Sequence, residues 1–150
     1  FDAEWEELGP YYIEEVTGHK PSYPLIGDKD LGVSKLYGML ASDSGSDSAG
    51  RTAVDNQTVR NVYIVGPDKK IKLILTYPMA TGRNFKEILR VIDSLKLTVG
   101  HKVATPANWQ QGDDVIIVPA VKDEEAKNLF PDGWKSPKPY IRFVKQSKVN

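Results

Sequence analysis

The chain contains no cysteine, and its 20 basic residues are balanced by 20 acidic ones. Without cysteine there is no disulfide framework, and thiol usage says nothing about redox compartment. The charge balance removes any global field that would draw the protein to nucleic acid or anionic membranes. No apolar run approaches the length of a membrane span. Only two histidines are present, His19 and His101, each beside a lysine in a polar stretch and far from the other. Nothing among them has metal-ligand spacing, so no metal is expected. A phosphate-cradling glycine loop is also missing, since Gly27 and Gly32 stand alone, and no G-x-S-x-G elbow supports a serine hydrolase. The acidic pairs Glu6-Glu7, Glu14-Glu15, Asp113-Asp114 and Glu124-Glu125 are adjacent in sequence, so their side chains diverge and form no acid/base dyad. Lys69, Lys70 and Lys72 cluster at a hairpin tip without interleaved aromatics, which gives nucleic-acid binding little support. The start of the chain is acidic where a signal peptide would be basic, and cytoplasm is the default compartment.

What is present concentrates in residues 59–97. Val59 to Val65 is a nearly continuous apolar run, expected as a buried strand. Gly66-Pro67-Asp68-Lys69 carries turn chemistry, with Gly66 expected to take unusual dihedrals. The second strand alternates: Ile71, Leu73, Leu75 and Tyr77 share one face, with Lys70, Lys72, Ile74 and Thr76 on the other. Pro78 stops it. Phe85, Ile88, Leu89, Ile92 and Leu95 then form one helical stripe expected to pack on the sheet, with Asn84 as N-cap and Glu87 as its reciprocal partner.

Elsewhere the pattern is weaker. Asp2 to Leu8 suggests a short helix ended by Gly9-Pro10, with Tyr11 to Val16 as a second. Tyr23 to Ile26 is a strand candidate, and Asp28 can cap a helix carrying Val33, Leu36 and Tyr37, with Gly38 near its end. Ala41 to Gln57 is polar and rich in glycine, serine and aspartate, and reads as a mobile surface loop. Gly100-His101 marks a boundary. Beyond it, Val115 to Val118 reads as a buried strand, Asp123 to Leu129 as a helix ended by Pro131-Asp132-Gly133, and Tyr140 to Val144 as a final strand. The aromatics Trp109, Trp134 and Tyr140 fall in a segment expected to be too small to bury them alone.

Several of these strings resemble the one-cysteine, peroxiredoxin-6-like class of peroxiredoxins. The matching motifs are Arg60 opening VRNVYIV, GPDKK at Gly66–Lys70, Tyr77-Pro78, and TGRNF with EILRV and SL between Thr81 and Leu95. Lys102–Pro119, Glu124–Phe143 and Glu14–Leu40 resemble further parts of the class, so the likeness runs from about residue 13 to 146. It implies a thioredoxin-like α/β sandwich lacking part of its sheet, residues 13–100, followed by a small α+β C-terminal domain, residues 101–150. Residues 1–12 resemble nothing in the class.

The resemblance also implies chemistry: thiol-dependent reduction of hydrogen peroxide and organic or lipid hydroperoxides. The reductant would be an external thiol such as glutathione or thioredoxin, with no cofactor. At these motif positions Arg60 and Arg83 would line the peroxide pocket, stabilising thiolate and the charge on the leaving oxygen. The residue-level alternative is surface arginines paired to carboxylates. Asp68 matches the acid of a lipase-like Ser/His/Asp set in this class, although turn-making alone explains it. A homodimer through the edge strand 70–77 is implied, with oligomer size beyond that open. The peroxidatic cysteine belongs to an N-terminal portion that these residues lack, so the chain alone should be inactive. The alternative is a non-catalytic fragment acting as a dimerisation or interaction module.

Overall fold

The computed structural model describes residues 4–41, 44, 52 and 58–146. Its contacts divide the chain into two units, Phe1–Arg83 and Asn84–Asn150. The first holds helices α1 (Glu4–Thr17) and α2 (Gly32–Leu36) and the strands β1 (Arg60–Val65) and β2 (Ile71–Tyr77). The second holds helix α3 (Phe85–Gly100), strands β3 (Val103–Ala104) and β4 (Val115–Ile117), helix α4 (Asp123–Leu129), and strands β5 (Lys135–Lys138) and β6 (Ile141–Val144).

In the first unit, α1 is one helix rather than two, and it runs through Pro10. Proline removes one backbone donor but does not force a stop. The helix ends instead at Gly18, which adopts φ 73° and donates its N–H to Glu14 O at 2.8 Å. Residues 23–26 form no strand. Asp28 does anchor α2, accepting from the N–H groups of Val33 at 2.9 Å and Ser34 at 2.6 Å. Burial pushes its carboxyl up, but hydrogen bonds from the Ser34 side chain and the Val33 and Ser34 amides outweigh this and hold it below the usual carboxylate range. Most of the polar stretch between Ala41 and Gln57 lies outside the described residues.

Strands β1 and β2 form an antiparallel hairpin with Arg60 opposite Tyr77, Val62 opposite Leu75 and Ile64 opposite Leu73. The expected alternation in β2 is present, with Leu73, Leu75 and Tyr77 half-buried and Lys72, Ile74 and Thr76 exposed. β1 differs from expectation: none of its residues is fully buried. Its only ladder partner among the described residues is β2, and a two-stranded sheet cannot enclose both faces of a strand. The α2 end packs on β1 through Tyr37, whose carbonyl accepts from Tyr63 Oη at 2.6 Å and Asn61 Nδ2 at 2.8 Å.

The second unit is a four-stranded antiparallel sheet, β3-β4-β6-β5, with a core of Val103, Trp109, Val115, Ile117, Val121, Ala126, Phe130 and Val144. Trp109 is 2 % exposed, so the segment does bury this aromatic by itself, contrary to expectation. Its indole donates to Asp113 O at 3.3 Å, which satisfies the one polar atom the ring carries into the core. Trp134 is half-buried, and Tyr140 is 79 % exposed. Helix α3 is capped by Asn84, which accepts from Glu87 N at 3.2 Å, while the Glu87 carboxylate engages Arg90 instead of returning to the cap. The expected stripe buries no residue, and Phe85 and Leu89 are 68 % and 61 % exposed. Within its unit, α3 meets the rest through Leu97, packed on the core, through Ser94, whose hydroxyl bonds Thr105 at 2.7 Å, and through Arg90, which donates to Trp109 O at 3.4 Å. Ser94 lies roughly half a turn round the helix from Phe85.

Replacing Trp109 by alanine removes the largest side chain of this core. Trp109→Ala is expected to cost about 3–5 kcal/mol in urea unfolding followed by circular dichroism. Tyr140→Ala should stay within about 0.5 kcal/mol of the parent.

Candidate functional site

The hairpin sorts the three candidate residues by its geometry. Arg60 opens β1 and Tyr77 closes β2, so both lie at the end away from the turn. Arg83 follows from that same end, past a turn closed by Thr81 N–H to Pro78 O at 2.9 Å. Asp68 lies in the opposite turn, one six-residue strand away, which amounts to about 20 Å. The structure therefore groups Arg60 with the segment leading to Arg83 and separates Asp68 from both.

Arg60 is half-buried and shares its face with Val62, Ile64, Leu73, Leu75 and Tyr77, a permanent cation at the end of an apolar surface. Arg83 is exposed. Neither side chain makes a hydrogen bond or ion pair among the described residues, so the carboxylate partner required by the surface-pair alternative is not found there. An arginine left without an anion keeps its planar donor fork available for a ligand.

Asp68 is committed locally. Its carboxylate accepts from Lys72 Nζ at 2.7 Å and from Lys70 N at 3.3 Å. The Lys72 ammonium holds the Asp68 carboxyl below the ordinary carboxylate range. The unusual dihedral of this turn falls on Lys69, at φ 58°, rather than on Gly66. A Cβ at Gly66 would stand 2.5 Å from Lys72 Cε and 2.7 Å from Asp68 Oδ1, the ends of two flexible side chains that would have to move aside.

One well-placed arginine escaped the sequence reading. Arg142 is only 12 % exposed in its side chain and pairs with Asp123 at 2.7 Å. It also donates to Val121 O at 2.6 Å and Val118 O at 3.3 Å, and its guanidinium lies 5.7 Å from the centre of the Trp134 ring. It ties β6 to the loop before α4. The signal was there, since strand alternation puts Arg142 on the same side as Val144, which is buried. Among the described residues no group of three or more histidine, cysteine or carboxylate residues could hold a metal, and no helix is long and apolar enough to cross a membrane.

A family profile described as the C-terminal domain of 1-Cys peroxiredoxin matches residues 94–133. A 1-Cys peroxiredoxin of Dictyostelium discoideum is 47 % identical over 135 residues, covering 89 % of this chain. Peroxiredoxin-6 of Gallus gallus is 49 % identical over 147 residues and 95 % of the chain, which extends beyond the stretch carried by the motifs. The solved structure of a yeast mitochondrial 1-Cys peroxiredoxin superposes with a TM-score of 0.85 at 42 % identity over 96 % of the chain. The chain belongs to the one-cysteine peroxiredoxins. Its fold is accordingly the thioredoxin-like α/β fold of peroxiredoxins. It spans 52 % of the Dictyostelium peroxiredoxin, 63 % of the chicken one and 66 % of the yeast one.

The Asp68–Lys72 pair makes a pH prediction with a definite sign. Because the folded-state carboxyl is depressed, its contribution to stability is present above the ordinary aspartate value of about 3.9 and is lost as pH falls through the lower folded value. A carboxyl-carbon NMR titration should place the Asp68 midpoint below that of a model aspartate. Lys72→Gln should raise it, and so should 1 M salt, because the pair is exposed.

Proposed function

We propose that this chain supplies the arginine side of the peroxide pocket, and the dimer edge, of a one-cysteine peroxiredoxin that reduces hydrogen peroxide and organic or lipid hydroperoxides. The observation that carries this reading is Arg60, half-buried, free of any carboxylate among the described residues, and placed at the head of an apolar face. Identities of 42–49 % with one-cysteine peroxiredoxins support it. In the reaction a cysteine thiolate attacks the peroxide, the O–O bond breaks, sulfenic acid forms and the leaving oxygen departs as alkoxide or hydroxide to be protonated. Arg60 and Arg83 stabilise the thiolate and that departing charge. Two equivalents of an external thiol then return the cysteine, releasing water and a disulfide. Glutathione or thioredoxin is the proposed source, in keeping with the glutathione and thioredoxin systems studied with the yeast relative. These 150 residues include no cysteine to serve as nucleophile.

Residues 13–100 are proposed as the thioredoxin-like core and 101–150 as the C-terminal domain, with cytoplasm as the compartment although the yeast relative is mitochondrial. The homodimer is proposed through β2, whose second edge has no partner among the described residues and which exposes Ile71 and Ile74. That exposed edge, together with the absent thiol, also favours a second reading: a non-catalytic module that pairs with another peroxiredoxin chain.

Peroxide consumption separates the two. The 150-residue chain should give no turnover with either thiol. A chimera carrying the cysteine-bearing N-terminal portion of the Dictyostelium peroxiredoxin ahead of residue 13 should be active, and Arg60→Ala in it should lower kcat/KM by about 10²–10³. A chimera equally active with and without Arg60 would sink the pocket assignment.

A further inference from the structure

Arg60 raises a question that its charge alone does not answer. Its side chain has several rotatable bonds and no hydrogen bond or ion pair among the described residues, so no polar partner there fixes the direction of its guanidinium. Catalysis by a positioned cation needs that direction fixed in advance.

The hairpin register offers one residue that could do this. Arg60 stands directly opposite Tyr77, and such cross-strand partners share a face with Cβ atoms about 4.5–5.5 Å apart. Tyr77 is half-buried while its neighbours Thr76 and Pro78 are exposed. Its hydroxyl makes no hydrogen bond among the described residues, so no bond to that oxygen accounts for the position of the ring. Its backbone is held twice over, by the last ladder pair of the hairpin and by Pro78, which confines the preceding residue to extended dihedrals. An aromatic face beside an arginine stem covers its methylenes and favours a guanidinium lying against or beyond the ring.

We propose that Tyr77 is the positioning residue for Arg60, its ring acting as a rigid wall that aims the guanidinium at the peroxide. The functional half of this statement rests on the peroxide-pocket reading of Arg60, and the ordering half does not. The hydroxyl is dispensable in this role and the flat ring is not.

The test is side-chain NMR on the full 150-residue chain, following the Arg60 Nε–Hε group, assigned by its loss in Arg60→Lys. Its order parameter should be unchanged in Tyr77→Phe and should fall about twofold in Tyr77→Ala. Should Tyr77→Ala disrupt the hairpin, visible as loss of the cross-strand contacts between Val62 and Leu75, Tyr77→Leu keeps the apolar bulk without the ring and decides the matter by the same drop. An order parameter indifferent to Tyr77 in a folded variant overturns the proposal. Titration with tert-butyl hydroperoxide provides the second reading: the Arg60 signal should shift in the parent and Tyr77→Phe chains and shift at most half as far in Tyr77→Leu. An Arg60 that depends on Tyr77 for order but ignores the peroxide in every chain rejects the pocket reading and the functional half with it, and leaves the ordering half standing.

Discussion

The register of the β1–β2 hairpin is the constraint on which the candidate site depends, and it is set at the far end, in the turn. Gly66 N–H to Lys70 O at 2.9 Å closes the loop, Lys69 N–H to Gly66 O at 2.9 Å tightens it, and Lys69 takes the left-handed conformation the geometry demands. A bulge between Ile64 and Val65 then adjusts the ladder once. Every pair beyond it follows, ending with Arg60 opposite Tyr77. Because side chains alternate, a slip of one residue would move Arg60 to the face now held by Asn61 and Tyr63, the two that bind the Tyr37 carbonyl. The backbone geometry of the turn thus reaches about 20 Å to the arginine, through strand pairing alone.

The second unit solves a different problem, that of building a core from few residues. Strands β3, β4 and β6 and helix α4 contribute to the core, the segments between elements add Trp109, Val121 and Phe130, and polar side chains tie those segments down. Arg142 does this for the loop between β4 and α4, and Arg90 does it for the start of α3, holding Glu87 and reaching Trp109 O at 3.4 Å. Such charges are tolerated because each has its partners, with the stem of Arg142 covered and its head bound.

The sequence was most legible where a pattern repeats or a residue has one conformational use. Alternation in β2, the Asn84 cap, the Asp28 anchor and the helix Asp123–Leu129 were all readable from spacing. Reading failed where the outcome turns on neighbours distant in sequence. An apolar run cannot say whether its strand will have one ladder partner or two, so β1 was expected to be more buried than it is. The stripe on α3 was periodic, yet the contacts seen from α3 to the rest of its unit include Arg90, Ser94 and Leu97, none of them in that stripe. Pro10 looked like a stop because a missing donor is easy to see, whereas the better stop, a glycine able to take positive φ at position 18, is visible only as one glycine among twelve. Arg60 and Arg83 became candidates through the motifs around them and not through any property of a lone arginine.

Charge gives the last step. A half-buried guanidinium has lost part of its hydration, and proteins ordinarily compensate with a carboxylate. Among the described residues the four carboxylates that form ion pairs do so with other cations: Asp68 with Lys72, Glu87 with Arg90, Asp123 with Arg142 and Glu125 with Lys102. Arg60 is left as a cation in search of an anion, at the end of a surface that would shelter an alkyl group. A thiolate is an anion that would suit it, and so is the oxygen that leaves a peroxide as its O–O bond breaks. A carboxylate fixed beside Arg60 would satisfy the arginine permanently and raise rather than lower the pKa of a thiol nearby. A guanidinium left unpaired among the described residues is the arrangement that would keep its charge available to an incoming anion.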